Sequence, residues 1–149
     1  MMSPLDRLLA IEELRQLEAR YARLADKHDW TALANLFTPE GILAPLDEFG
    51  TEIFRASGRL EIAATLGARN GKDVRTVHQL FSSEIDISST NAANGVWAMA
   101  DLVFRDGPPP RPFRTMRGWG HYHVAYSRLD GEWLIASKTQ TRLHREFTH

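Results

Sequence analysis

The residues able to do chemistry in this 149-residue chain are few, because it has six histidines and no cysteine. Without cysteine there is no thiol nucleophile, no thiolate metal site and no disulfide. His78 lies near the start of a β-rich run, where a neutral imidazole of near-neutral pKa can take a proton from carbon or return one to a departing oxygen. A half-buried strand histidine with a backbone partner is the plainer reading of the same residue. His121 and His123 are two apart and can offer two imidazoles from one strand face to a metal, but no third histidine or carboxylate is placed by spacing to complete a site. Arg142, His144 and Arg145, close together near the end of the chain, are of the types that hold a carboxylate or phenolate. No Gly-rich phosphate loop, Ser-His-Asp order or metalloprotease motif is present. No metal or organic cofactor is therefore expected.

The elements that must position these groups fall into two halves. Ser3 caps, Pro4 suits a first helical position and Asp6 complements the helix dipole. Ala10, Ile11, Leu14, Leu17, Tyr21, Leu24 and Ala25 then form one apolar stripe of a helix over Pro4–Lys27. Asp29 caps a short helix through Trp30, Leu33 and Leu36, ended by a Pro39-Glu40-Gly41 turn. Ile42–Leu46 and Thr51–Arg55 read as a short hairpin, and Ser57 as the cap of a third helix carrying Leu60, Ala63 and Leu66. From Arg75 the pattern becomes strand-like: Arg75–Ile87, Val96–Phe104, Phe113–Arg128 and Glu132–Arg145. Turns are expected at Asn91–Gly95, Asp106–Pro112 and Asp130-Gly131. Three helices followed by a strongly antiparallel sheet make an α+β fold with helices covering one sheet face. The length suits a single domain over 1–149 that buries well over half of its unfolded surface.

Composition narrows the function. With 43% hydrophobic and 25% charged residues the chain is an ordinary globular protein. A net charge of −1 gives no electrostatic case for nucleic acid or an anionic membrane. No apolar run is long enough to cross a bilayer, and the charged N-terminus lacks the core of a signal peptide, so a cytoplasmic location is expected by default.

The run Tyr21-Ala22-Arg23-Leu24-Ala25-Asp26-Lys27-His28-Asp29-Trp30, followed by Leu33, Leu36-Phe37 and Pro39-Glu40-Gly41, resembles the opening of the SnoaL-like branch of the NTF2-like superfamily. So do Arg75-Thr76-Val77-His78 and the closing segment from Tyr122 through Arg128-Leu129-Asp130-Gly131-Glu132-Trp133. The resemblance covers nearly the whole chain in order, and that joint order is more specific than any one motif. It implies a cone in which a curved mixed or antiparallel sheet wraps around three N-terminal helices, with a largely apolar pocket at the open end. Scytalone dehydratases, hexachlorocyclohexane dehydrochlorinases and bile-acid dehydratases of this branch share an aspartate late in the first helix and a histidine early in the first long strand. Those positions match Asp26 and His78 here. The resemblance thus implies His78 as base and Asp26 as the carboxylate that fixes its tautomer and stabilises its cation. Periodicity alone points elsewhere for Asp26, which at about 100° per residue falls roughly 130° from the centre of the apolar stripe. A pocket-facing Asp26 requires the helix to fray or tighten there.

The same patterns imply Tyr21 and Tyr122 as donors to substrate oxygen, although a core tyrosine with one satisfied hydroxyl reads Tyr21 equally well. Alternation puts Tyr126 on the face of Tyr122 and His121 and His123 on the other. Tyr126, Arg142 and Phe104 are the expected substrate contacts. Ala25 stands where scytalone dehydratases have a tyrosine, and no second histidine occurs between Val96 and Asp106, which argues against that particular enzyme. The implied activity is a cofactor-independent, dehydratase-type lyase acting on a small hydrophobic cyclic or aromatic molecule. An isomerase or polyketide-type cyclase uses the same pocket, and a non-catalytic binding or assembly module, such as a dioxygenase small subunit, uses the same fold. The outer sheet face of this superfamily often meets a second subunit, so a homodimer or trimer is expected.

Overall fold

The computed structural model describes residues 2–149. Helix α1 spans Pro4–Asp26, with Ser3 as its cap: the Ser3 hydroxyl accepts the Asp6 N–H at 3.0 Å. Its buried face is Ala10, Leu14, Leu17, Glu18, Tyr21 and Ala25, the expected stripe with one carboxylate set into it. The helix stays regular through Asp26, and the chain reverses only at Lys27 and His28. His28 is in the left-handed region at φ 57°. Asp29 then caps α2 (Trp30–Ala34), its carboxylate accepting the Ala32 N–H at 3.2 Å.

Four expectations for the middle of the chain give way. Pro39-Glu40-Gly41 does not end a helix in a turn but lies inside strand β1 (Phe37–Pro45). The β1 register shifts between Phe37 and Ile42, and a Cβ on Gly41 would sit 2.8 Å from the Phe37 Cβ, so glycine fits this tight irregularity. The hairpin partner is not Thr51–Arg55, which forms no strand and bonds to β1 through the Ile53 N–H on the Pro45 carbonyl at 2.8 Å, with an isolated Leu46–Glu52 bridge just beyond it, but the two-residue strand β2 (Ala56–Ser57). Helix α3 (Arg59–Arg69) is preceded by Gly58 at φ 86° rather than capped by Ser57. Instead Glu61 reaches back to accept the Ser57 N–H. Asn94 and Gly95, expected in a turn, pair with Asp86 and Ile85, and the chain reverses at Thr90-Asn91 instead.

Strands β3 (Val74–Ser89), β4 (Ala92–Arg105), β5 (Thr115–Leu129) and β6 (Glu132–Thr148) follow as an antiparallel meander. Asp130 and Gly131, at φ 51° and 80°, make the last reversal, the paired positive φ that a two-residue hairpin turn requires. The sheet order is β2-β1-β6-β5-β4-β3, with β1 parallel to β6, so the sheet is mixed and β3 is an edge. Register shifts at Leu80/Ser83, Trp119/Gly120 and Ala125/Tyr126 mark bulges, which bend long strands. The bent sheet and the apolar stripe of α1 close on one core built from Leu14, Leu17, Leu33, Phe37, Ile62, Met99, Tyr126 and Ile135, among others. No helix among the described residues is long and apolar enough to cross a membrane.

Candidate active site

Because β3 is an edge strand, alternate backbone N–H groups on its open side lack a strand partner, and His78 carries one of them. The end of α1 lies against this edge. The Asp26 carboxylate accepts the His78 N–H at 2.9 and 3.2 Å, and its Oδ1 lies 2.7 Å from His78 Nδ1. An ionised carboxylate can only accept, so Nδ1 carries the proton and Nε2 keeps its lone pair. A negative side chain at a helix C-terminus is disfavoured by the dipole, by roughly 0.3–1 kcal/mol. The backbone and ring hydrogen bonds from His78 offset that cost. Asp26 is thus off the apolar stripe, as periodicity requires, and meets His78 without any fraying of the helix. It stands behind the imidazole, outside the pocket lining, with its side chain 32% exposed against 18% for His78.

The His78 ring is on the wall of a pocket of about 210 Å³ at the open end of the cone. Ala25, Trp30 and Leu33 contribute from the helices, Thr76 and Val103 from β3 and β4, and Met116 and Gln140 from β5 and β6. Tyr21 and Tyr122 line it too, packed edge to face with centroids 6.0 Å apart. Burial is the main cause that pushes both phenols well above their ordinary pKa, and the Glu18 charge adds to it. At neutral pH they are donors, not bases. Of the three tyrosines only Tyr126 has its hydroxyl hydrogen-bonded within the described residues.

Tyr126 is not a pocket residue. It shares the inward face of β5 with Tyr122, but lies deeper in the closed part of the cone. There its hydroxyl donates to Glu18 at 2.7 Å and accepts from Trp97 Nε1 at 3.0 Å. Phe104 is likewise displaced: Val103 and Arg105 on either side of it line the pocket, so alternation turns Phe104 outward, where Arg75 lies over its ring at 5.2 Å. Arg142 does line the pocket, but both of its Nη groups bind the Asp101 carboxylate, at 2.6 and 2.8 Å. Gly118 leaves room for that pair, since a Cβ there would meet Asp101 Oδ1 at 2.6 Å. His121 and His123 lie on the outer face, with ring centroids 6.3 Å apart, and no group of three potential metal ligands occurs among the described residues.

Two polar features escaped the sequence reading. Asp101 sits directly across from His78 in the β3–β4 register. Its signal was one acid inside the apolar run from Val96 to Phe104. Lys138 is fully buried, 2.6 Å from Glu18, with Nζ 3.3 Å from the Tyr21 ring centroid and 4.2 Å from that of Tyr122. Burial pushes the Lys138 ammonium down while Glu18 opposes the shift. This ion pair with its two aromatic faces forms the floor beneath the donor tyrosines. Glu18, set into an apolar helix stripe, was its visible half.

Solved structures share this architecture at low identity, which speaks to the fold. A candidate scytalone dehydratase from Novosphingobium aromaticivorans superposes with a TM-score of 0.80 at 19% identity, over 96% of this chain and 90% of its own. A type 2 hexachlorocyclohexane dehydrochlorinase gives 0.78 at 18% identity, over 99% and 94%. The beta subunit of a candidate aromatic-ring-hydroxylating dioxygenase from N. aromaticivorans gives 0.74 at 13% identity, over 91% and 90%. Catalysts and an oxygenase subunit thus share one α+β, NTF2-like frame. The SnoaL-like domain model matches residues 6–139, a span that includes both members of the His78–Asp26 pair and the tyrosines above Lys138; the chain belongs to the SnoaL-like domain family.

Proposed function

We propose that this protein is a cofactor-independent lyase that eliminates water or another small leaving group from a hydrophobic cyclic or aromatic substrate. The observation that carries the reading is the 2.7 Å contact between Asp26 and Nδ1 of a histidine whose ring lines an open, largely apolar pocket. His78 Nε2 takes a proton from a substrate carbon, and the C–H electron pair becomes the new π bond as the bond to the leaving group on the adjacent carbon breaks. Asp26 stabilises the imidazolium so formed, which can return the proton to a departing oxygen. Tyr21 and Tyr122, both buried, donate hydrogen bonds to the oxygen on which negative charge develops. Isomerisation or cyclisation needs the same base and donors, and differs only in where the proton returns or which carbon the electron pair attacks.

The test is turnover across a panel of hydroxylated phenolic, terpenoid and polyketide compounds by the wild-type protein and by His78→Ala. The wild type should convert members of the panel to dehydrated products, and His78→Ala should lose roughly 10²- to 10⁴-fold, the usual contribution of general acid–base catalysis. Near-normal turnover in a folded His78→Ala protein would overturn the mechanism. A panel that binds without conversion would favour a ligand-binding or assembly role.

A further inference from the structure

The arginines of the pocket are not equivalent. Arg69, Arg105, Arg142 and Arg145 all line it, and Asp101 is the one carboxylate in the lining. Asp101 spends both oxygens on Arg142, and Glu48 spends both of its own on Arg145. The arginine ion pairs among the described residues involve Arg55, Arg75, Arg128, Arg142 and Arg145, so Arg69 and Arg105 have no carboxylate of their own. Each instead lies over an aromatic ring that also lines the pocket: Arg69 over Phe54 at 4.9 Å and Arg105 over Phe113 at 4.7 Å. Stacking uses the face of a guanidinium and leaves its donor edge free. The Nε–H is buried and without a partner on both Arg105 and Arg142, but the Nη groups of Arg142 are both taken by Asp101, whereas Arg105 has no carboxylate on any of its nitrogens. On Arg105 that N–H, with the neighbouring Nη–H, is the fork that binds a carboxylate side-on.

We propose that the pocket takes a substrate bearing a carboxylate, which Arg105 holds through its Nε and Nη edge with Arg69 as the second cation. The apolar body of the substrate then extends toward Tyr21, Tyr122 and His78. Buried donors without partners are uncommon in folded proteins, and an arriving anion satisfies this one while balancing two unpaired cations. Arg142 and Arg145, the arginines that sequence position favours for this task, are already neutralised. The aromatic partners at 54 and 113 fix the two guanidinium planes and give an aromatic acid rings to pack on. The inference rests on the acid–base reading for what happens to the body of the substrate, whereas the anion site itself is read by binding alone.

The experiment is calorimetric titration with biphenyl-4-carboxylate and with its uncharged isostere biphenyl-4-carboxamide, against the wild type, Arg105→Gln, Arg105→Lys and Arg69→Gln, with melting temperatures measured alongside. The acid should bind the wild type at least about tenfold more tightly than the amide, as expected for a charge-assisted bidentate contact. Its advantage should shrink as salt is raised. Arg105→Gln should erase the preference without weakening the amide. Arg105→Lys should restore part of it, because lysine keeps the charge and loses the fork, and Arg69→Gln should reduce it. Equal affinity for acid and amide, equal loss of both in Arg105→Gln, or no binding of either at millimolar concentration would each overturn the proposal. The two readings fail separately: a folded His78→Ala protein with full turnover would overturn the acid–base mechanism and leave the acid-over-amide preference standing. A wild type with His78-dependent turnover and no such preference would overturn only the carboxylate site.

Discussion

His78 and Asp26 act on one proton, so their substitutions should not add. Asp26→Asn keeps an acceptor for the backbone N–H of His78 but cannot stabilise the imidazolium, and its amide can favour the wrong tautomer. We expect Asp26→Asn to retain ligand affinity and lose most turnover, and the double mutant with His78→Ala to be little worse than the poorer single mutant. Single-turnover rates and ligand titrations on the three proteins check this, and fully additive losses would mean the two residues work independently. Lys138 makes a different kind of claim, about stability. Lys138→Met strands Glu18 in a fully buried site, which typically costs about 3–5 kcal/mol, whereas adding Glu18→Gln removes the charge and leaves a carbonyl to accept from Tyr126. Denaturant melts should show the double mutant recovering most of the stability that Lys138→Met loses.

The elements carry these residues with unequal security. α1 and the four long strands are tied together by the core, but the loop over residues 46–55 is bonded to the rest of the sheet largely through the Leu46 N–H on Gln140, the Ile53 N–H on Pro45 and the Glu48–Arg145 pair. The hydrogen bonds from Arg145 hold the Glu48 carboxyl down at about 2, against an ordinary value of 4.5. A carboxyl whose folded pKa is depressed contributes its stability fully above the unfolded value and loses it as pH falls toward the folded one. The contribution of this pair should therefore be complete above about pH 4.5 and disappear between there and about pH 2. The pair is near solvent, so screening limits it to roughly 0.5–1 kcal/mol. Glu48→Gln should flatten the acid limb of the melting-temperature profile by that amount and leave the profile unchanged in shape above pH 5. An unaltered acid limb would show that the pair contributes nothing.

At the scale of the whole molecule the open cone leaves apolar side chains on its outside. Val77 and Phe81 on the edge strand β3, and Leu143 on β6, are 38%, 57% and 70% exposed. Exposed apolar groups beside the outward aromatic and histidine side chains of β5 give a surface suited to a second copy of the chain. A homodimer with a two-fold, self-complementary interface is the expected assembly. Light scattering at micromolar concentration should give twice the chain mass, and Val77→Glu combined with Leu143→Glu should shift it to the monomer with the pocket still able to bind ligand. A wild-type mass of one chain would contradict the expectation.

Several features were legible without coordinates because they depend on local chemistry. The α1 stripe from Ala10 to Ala25, the Asp29 cap and the Asp130-Gly131 reversal follow from helical period, side-chain capping and positive φ, and all three are found where period and composition put them. The order of Asp26, His78 and the strand meander also sufficed to point to the SnoaL-like family. What sequence alone left open was decided by strand neighbours distant in the chain. Period placed Asp26 off the core stripe correctly, but only the edge position of β3 shows that an off-stripe aspartate is the one able to reach His78. Tyr126 looked like a pocket residue because alternation puts it on the face of Tyr122, and Phe104 was expected beside it, but which face of a strand is inward, and how deep a residue lies, depends on packing. Pairing of charges is likewise a tertiary property. Arg142 and Arg145 are neutralised by Asp101 and Glu48, 41 and 97 residues earlier, and the uncompensated cations turn out to be Arg69 and Arg105, since a charge is satisfied by whatever the fold brings within a few ångströms, whatever its distance along the chain.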